Sequence, residues 1–399
     1  MFVALENTPR PYAWGSQTVI AILQGRAPSG EPEAELWLGA HPASPARVAA
    51  GSGVGHPDLA AWIESDAASA GLRQPRLPFL LKLLAAEAPL SLQAHPSPEQ
   101  AVAGFERENA AGVPLDAPHR NYKDAFHKPE LIVALSESFD ALCGFRRVAE
   151  TAEDLDALIA VADKEGMALA VTELRALRER LTGADDEVLR DVVQYLLGSE
   201  ISALVSAVTD SAALASPSPA VDTVRLLAEH YPGDPGIVVS LFVNRVTLTR
   251  GEALYLPAGN VHAYLRGFGV ELMAASDNVL RGGLTPKHVD VPELLSVLDF
   301  EPLPVPYLQP TRVSTGVELF APGIPDFELF RVEVADDGPD ATVELPGVAI
   351  AVVTRGEVDV TGAQGAATLR AGQALYVTPD ETALAVSGDG ELFVATTLL

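Results

Sequence analysis

The chain has 399 residues and one cysteine, Cys143. An intrachain disulfide is therefore excluded, which suits a reducing compartment. Basic residues are also scarce: 27 Lys and Arg stand against 54 Asp and Glu, a formal net charge of −27 at pH 7. Nucleic acid and anionic membranes select clustered Lys and Arg, so neither is expected as a partner. An anionic substrate would need a local cationic site set against the average field. No apolar run approaches the length that spans a bilayer. The opening residues MFVALENTPRPYAWGS lack a basic segment followed by an apolar one, so they do not read as a secretory signal, and a cytoplasmic location is expected.

Hydrophobic residues make up 48% of the chain and charged residues 20%, the balance of a folded globular protein with two or three domains. Up to about residue 145, short apolar runs such as LPFLLKLLAA and KPELIVALS alternate with Gly and Pro, a pattern of strands and turns. Helical spacing takes over from 148 to 232, in about four segments with Asp or Thr near their starts. Strand patterning resumes after PGDPG, and Asp290 with Glu293 predicts a capping box on a short helix over 290–298. RGEALYLPAGNVHAY (250–264) resembles RAGQALYVTPDETAL (370–384) when Gly251 is laid on Gly372; Ala383 then stands where the first copy has His262. Both copies read as turn, strand and Pro-containing turn, as in cupin barrels. The expected fold is mainly β with a helical insertion: two cupin-type (jelly-roll) β-barrels plus an α-helical domain. The expected division is 1–147 and 233–300 for a cupin domain with a polar site, 148–232 for the helical insertion, and 301–399 for a cupin-like domain without metal ligands.

In PLSLQAHPSP (89–98), Leu90, Leu92 and Ala94 share one parity, and Ser91, Gln93 and His95 the other. On a strand, the first set faces a core and the second presents a hydroxyl, an amide and an imidazole together. Gln93 and His95 can then reach one point. His262 near the end of another strand, and Glu130 in YKDAFHKPELIVAL, are candidates to complete a metal site. Lys128 and Glu130 share a parity opposite to His127. Zinc, iron or manganese would accept such N/O ligands. Each group taken alone is more commonly a hydrogen-bonded structural residue, and Glu130 alone is explained by an ion pair with Lys128 or Lys82. Their convergence beside apolar runs favours a site.

PLSLQAHPSPEQA, YKDAFHKPEL and HAYLRGFGVELMAASDNVLRGGLTPKHVDV resemble the signatures of type I phosphomannose isomerases, supported by YAWGS, AELWLGAHP and LPFLLKLL. The resemblance implies one zinc ion per chain, other divalent metals being possible, held by Gln93, His95, Glu130 and His262. It implies Arg281, Lys128, Glu271 and His127 as catalytic residues. Trp14, Glu35, Lys82, Ser91, Tyr264, Asp277 and Lys287 are the implied substrate contacts. The family's second motif carries Asn where this chain has Phe126, whose parity matches Lys128 and Glu130, so loss of a polar contact near the metal is expected.

The implied reaction interconverts mannose 6-phosphate and fructose 6-phosphate through a cis-enediol(ate). It needs a Lewis acid, a base for the proton moving between C2 and C1, and fixed cations for the phosphate. Glu271 and Lys128 are candidate bases, Lys128 only with a depressed pKa, and His127 a candidate aid to ring opening. Arg281, Lys287 and Lys82 supply positive charge. The alternative for Arg281 and Lys287 is a solvated loop paired with Asp277 or Asp290. The glycines of RGGLTPK suggest a loop that closes over substrate and carries Arg281 with it. Competing readings are an isomerase of another phosphosugar, a non-catalytic sugar-binding cupin, and a cupin oxygenase. The expected partner is a small phosphosugar, and a monomer is the expected form.

Overall fold

The computed structural model describes residues 1–398. Among these, the strands group into a nine-stranded and a ten-stranded sheet, both antiparallel throughout and both open in their hydrogen bonding where two closed barrels were expected. The nine-stranded sheet is built on the long strand His262–Ala274, flanked by Phe79–Ala86, Glu130–Ala134, Phe139–Phe145 and Gln93–Ala94. The ten-stranded sheet is built on Ala349–Thr361 and Ala383–Thr396. It also takes in the first strand, Phe2–Glu6, which pairs with Ala374–Val377.

The strand FLLKLLAA (79–86) shows why the two sheets lie back to back. All eight residues are buried, so both faces are covered. Phe79, Leu81, Leu83 and Ala85 join Val3, Leu5, Ile350, Val352, Tyr376 and Phe393 of the other sheet in one core. At about 1.5–3 kcal/mol per fully buried large side chain, this layer is a main source of stability. The opposite parity holds Leu80, packed with Trp37 and Met273, and Leu84 and Ala86, packed with Ile132 and Phe139. Lys82 is the one charged residue of the run, and its parity places it on this second, inner face.

Between the strands ending at Phe145 and beginning at Val243 lie five long helices, Val148–Lys164, Ala168–Glu179, Asp185–Gly198, Ser202–Leu214 and Pro219–His230, and then a single short turn of helix, Gly236–Val239. About four were expected; the additional one, SALVSAVTDSAAL, is so apolar that its sequence shows little polar face. The apolar core of this block runs on through Leu92, Ala94, Val261, Leu280, Leu284 and Leu294, so the helices cover one end of the nine-stranded sheet. Asp290 caps the short helix Val291–Val297 by accepting from Glu293 N–H, but the box is half made. The Glu293 carboxylate instead accepts from Tyr122 and Arg107. No single helix among the described residues is long and apolar enough to cross a membrane.

Candidate metal centre and anion site

Gln93–Ala94 is only two residues long, yet it lies between His262–Ala274 and Leu280–Arg281. Gln93 is directly opposite His262 on one side and Arg281 on the other, so the three share a face. The expected alternation extends beyond the strand: Leu92 and Ala94 are fully buried in the core shared with the helices, while Ser91 and Gln93 are half-buried.

His95 and His262 are both oriented through Nδ1. His95 Nδ1–H donates to Asn278 O at 2.7 Å, and His262 Nδ1–H to Asn260 O at 3.0 Å. This tautomer, assigned from the bonding, leaves each Nε2 lone pair free. Burial pushes the His95 pKa down to about 4 against the pull of Glu130, so the ring is neutral near pH 7. Glu130 Oε1 lies 3.2 Å from His95 Nε2, and Oε2 lies 3.3 Å from His262 Nε2. Neither Nε2 nor Glu130 Oε2 makes a hydrogen bond, although all three atoms are buried. Donor atoms this close but misaligned for hydrogen bonding share a point between them. The ligand atoms of His95, Glu130 and His262 all fall within 4.8 Å of one another, which fits a divalent cation of the zinc type. Burial alone would push the Glu130 carboxyl up; His95, Lys128 and His262 outweigh it and hold it well below the usual carboxylate range.

A second buried cluster lies on the same inner face. Lys82 is opposite Glu271 in register; its Nζ donates to Glu271 Oε2 at 2.8 Å and lies 3.7 Å from Glu35 Oε1. Glu35 Oε2 accepts from Trp37 Nε1 at 2.7 Å. Burial works against the Lys82 ammonium, but Glu271, Glu35 and Glu130 outweigh it and raise its pKa. Burial also raises the Glu271 pKa, opposed by Lys82 and reinforced by Glu130 and Glu35. Tyr264 is buried, its hydroxyl is without a hydrogen-bond partner, and burial with the charges of Glu271 and Glu130 raises its pKa well above the usual value.

Lys128 Nζ is 3.3 Å from Glu130 Oε1. His127 points elsewhere, its Nε2 lying 3.0 Å from Asp326 Oδ2 in the segment before the strand Glu328–Val334. Asp277 is exposed and meets His41 Nε2 at 3.0 Å; half-buried Trp14 stacks on Tyr12 with ring centroids 5.7 Å apart. Neither Asp277 nor Asp290 pairs with Arg281. Among the described residues, Arg281 makes no ion pair and no side-chain hydrogen bond, and Lys287 has no ion pair. Burial lowers the Arg281 pKa, and burial together with Arg281 lowers that of Lys287. These are two neighbouring cations without a carboxylate, in a chain of strongly negative net charge.

Phe126 departs from its expected place. Residues 121–129 are not a strand, so alternation does not apply there. The ring is 42% exposed, with the Arg76 guanidinium stacked 3.6 Å from its centroid. Its carbonyl, not its side chain, serves the site by accepting from Asn278 Nδ2 and Ser276 Oγ. Asn278 had no part in the expected site. Fully buried, it accepts from the backbone N–H of Lys123 and Asp124, donates to the Asp124 and Phe126 carbonyls, and accepts from His95 Nδ1–H on its own backbone carbonyl. An Asn between Asp277 and an apolar pair was the one available signal. Asn260, whose carbonyl orients His262, was missed for the same reason: backbone acceptors leave no trace in sequence.

Residues 2–148 match the family described as phosphomannose isomerase type I, catalytic domain. Across its length the chain is 38% identical to the mannose-6-phosphate isomerase of Escherichia coli K12, covering 97% of both chains. It is 33% identical to the human mannose-6-phosphate isomerase over 87% of this chain and 86% of the human one. A crystal structure of the Salmonella typhimurium mannose 6-phosphate isomerase, bound to substrate and a zinc atom, superposes with a TM-score of 0.87 at 33% identity and full coverage of both chains. The inner-face cluster and the match along nearly the whole chain agree, and the chain belongs to the type I phosphomannose (mannose-6-phosphate) isomerase family.

Proposed function

We infer that this protein is a metal-dependent aldose–ketose isomerase that interconverts mannose 6-phosphate and fructose 6-phosphate. One observation carries the reading: the convergence of three buried, partnerless donor atoms on His95, Glu130 and His262, beside cations that lack a carboxylate partner. Gln93, opposite His262 in register, is the proposed fourth ligand. A divalent ion held there, zinc in the related structures, supplies Lewis acidity toward the sugar's carbonyl and hydroxyl oxygens.

The remaining work falls to side chains. The proton must leave C2, reside on a base and return to C1 through a cis-enediol(ate). Glu271 is the favoured base, because burial and the nearby carboxylates raise its proton affinity while Lys82 keeps it oriented. Lys128 is the alternative, placed beside Glu130. The bond to Asp326 argues for His127 as a support of the Lys128 segment, so its part in ring opening is the weaker assignment. Arg281 offers a planar fork to the phosphate and Lys287 a point charge. Ser91, Tyr264, Trp14, Glu35, Lys82 and Asp277 complete the proposed substrate contacts, with Tyr264 offering a free hydroxyl.

The proposed domains keep the boundaries 1–147 with 233–300, 148–232, and 301–399, with Phe2–Glu6 lent to the last of these. The repeated turn–strand–turn pattern supports a jelly-roll, cupin-type arrangement for both sheets, and the single free thiol of Cys143 supports a cytoplasmic location. A coupled assay of mannose 6-phosphate conversion tests the function: activity is expected to vanish on chelation and return with zinc. A folded, zinc-replete protein without activity would overturn it.

A further inference from the structure

The loop that carries the cationic end of the site is pinned from outside the sheet. Asp234 lies in PGDPG, where the chain leaves the helical block. Its Oδ1 accepts from Gly236 N–H at 2.7 Å and Leu284 N–H at 2.8 Å, and its Oδ2 accepts from Thr285 N–H at 3.1 Å. Leu284 adopts φ of 56°, a left-handed conformation that a residue with a side chain resists. Two features hold it there: the Asp234 bonds, and a side chain fully buried against the helical core. Gly283, at φ of 112°, packs against Gly236 so closely that a Cβ would lie 2.8 Å from Gly236 Cα. On the other side Gly282 N–H donates to Leu92 O at 2.8 Å, and Leu92 N–H to Gly283 O at 3.1 Å, which fixes the loop to the strand bearing Gln93. The glycines therefore serve close approach of backbones, and the loop expected to close over substrate is here an anchored turn.

We propose that Asp234 is a positioning residue for phosphate recognition: its carboxylate fixes the 282–285 turn, and thereby the separation and direction of Arg281 and Lys287, which flank that turn. This rests on the reading of Arg281 and Lys287 as the phosphate site. The anchor comes from the segment 233–236, which directly follows the helical insertion and leads the chain back to the nine-stranded sheet.

The test uses the zinc-loaded full-length protein and reads kcat, KM for mannose 6-phosphate, the competitive Ki of inorganic phosphate, and zinc per chain. Asp234→Ala is expected to raise KM and the phosphate Ki about tenfold or more, since small displacements of a clamp carry effects of this size, with zinc content unchanged. Asp234→Asn keeps one acceptor for Gly236 and Leu284 and is expected to recover part of that loss. Gly283→Ala, which wedges the turn off Gly236 with Asp234 intact, is expected to raise the same two constants. Arg281→Ala separates the two levels of the argument. If it leaves the phosphate Ki unchanged, the phosphate reading falls, and the role of Asp234 with it. If it raises Ki while Asp234→Ala and Gly283→Ala do not, only the positioning role falls. Should Asp234→Ala fail to fold, unchanged Ki in both other turn variants overturns the proposal.

Discussion

The two long strands His262–Ala274 and Ala383–Thr396 occupy the same place in their sheets, and their inner faces are opposites. Each follows a glycine turn, Gly251 at φ of 87° and Gly372 at 83°, and a short strand, Ala253–Leu256 or Ala374–Val377. With those glycines superimposed, Leu272 and Ala274 match Phe393 and Ala395, and all four lie in the core between the sheets. On the other parity Glu271 and Met273 match Leu392 and Val394, which sit in a wholly apolar cluster. His262 matches Ala383. Asn260, whose carbonyl orients His262, matches Glu381, whose carboxylate accepts from the N–H of Gln364 and Gly365. The shared face is apolar at these four positions because each sheet needs the other, and the buried charge beside them, Glu391 opposite Val270 in this match, is paired with Arg250 and Arg331. Only the unshared face was open to be either a polar site or a core.

The largest effect is expected when the first inner face is made to resemble the second. Lys82→Met leaves Glu271 buried without its partner and is expected to cost about 3–5 kcal/mol in stability. Lys82→Met with Glu271→Leu, the residue at the matching position, is expected to regain most of that stability in urea denaturation while activity stays lost. A double variant no more stable than the single one would show that the ion pair is not what separates the two faces.

In the other sheet, Leu392→Ala is expected to cost about 2–5 kcal/mol, depending on how far the cavity collapses. Its kcat and zinc content should match the parent at a temperature where both are folded. A selective fall in kcat would mean that the second sheet does more than support the first.

The smallest effect is one of pH. Burial pushes the Glu381 carboxyl up, but the N–H groups of Gln364 and Gly365 and the α-amino group of Met1, 3.0 Å from Oε1, bring its pKa below the ordinary value. A carboxyl with a depressed native pKa adds stability above its unfolded pKa of about 4.3, and that stability is lost as pH falls through the native value. The stability difference between the parent and Glu381→Gln should therefore be full near neutrality and shrink below about pH 4. Parallel curves through that range would contradict the assignment.

The sequence made the candidate metal site legible because His95, Glu130 and His262 are polar residues beside apolar runs, where packing alone has no use for them. The repeat at Gly251 and Gly372 marked the second sheet for a similar reason, since tight turns demand glycine. Alternation misled at Phe126, where the chain is irregular and parity has no meaning. It was also silent on the face of 79–86 that meets the other sheet, because a strand buried on both sides does not alternate. Asn278, Asn260 and Asp234 act through backbone partners far along the chain, and nothing in their neighbourhoods announces a carbonyl or N–H waiting elsewhere. The closed box expected at Asp290 failed because Tyr122 and Arg107 compete for the Glu293 carboxylate.

The pairing of Phe2–Glu6 with Ala374–Val377 bears on how the chain is made. During synthesis Phe2–Glu6 is made long before its partner strand Ala374–Val377. Gln93, His95 and Glu130 likewise wait through the five helices for His262. A nascent chain stopped anywhere in the helical block thus holds most of the candidate ligands but not His262, with the odd face of 79–86 lacking the partners it meets in the other sheet. The pairings that complete both sheets therefore join segments far apart in the chain, the kind of contact that forms slowly and leaves strand edges open to association meanwhile.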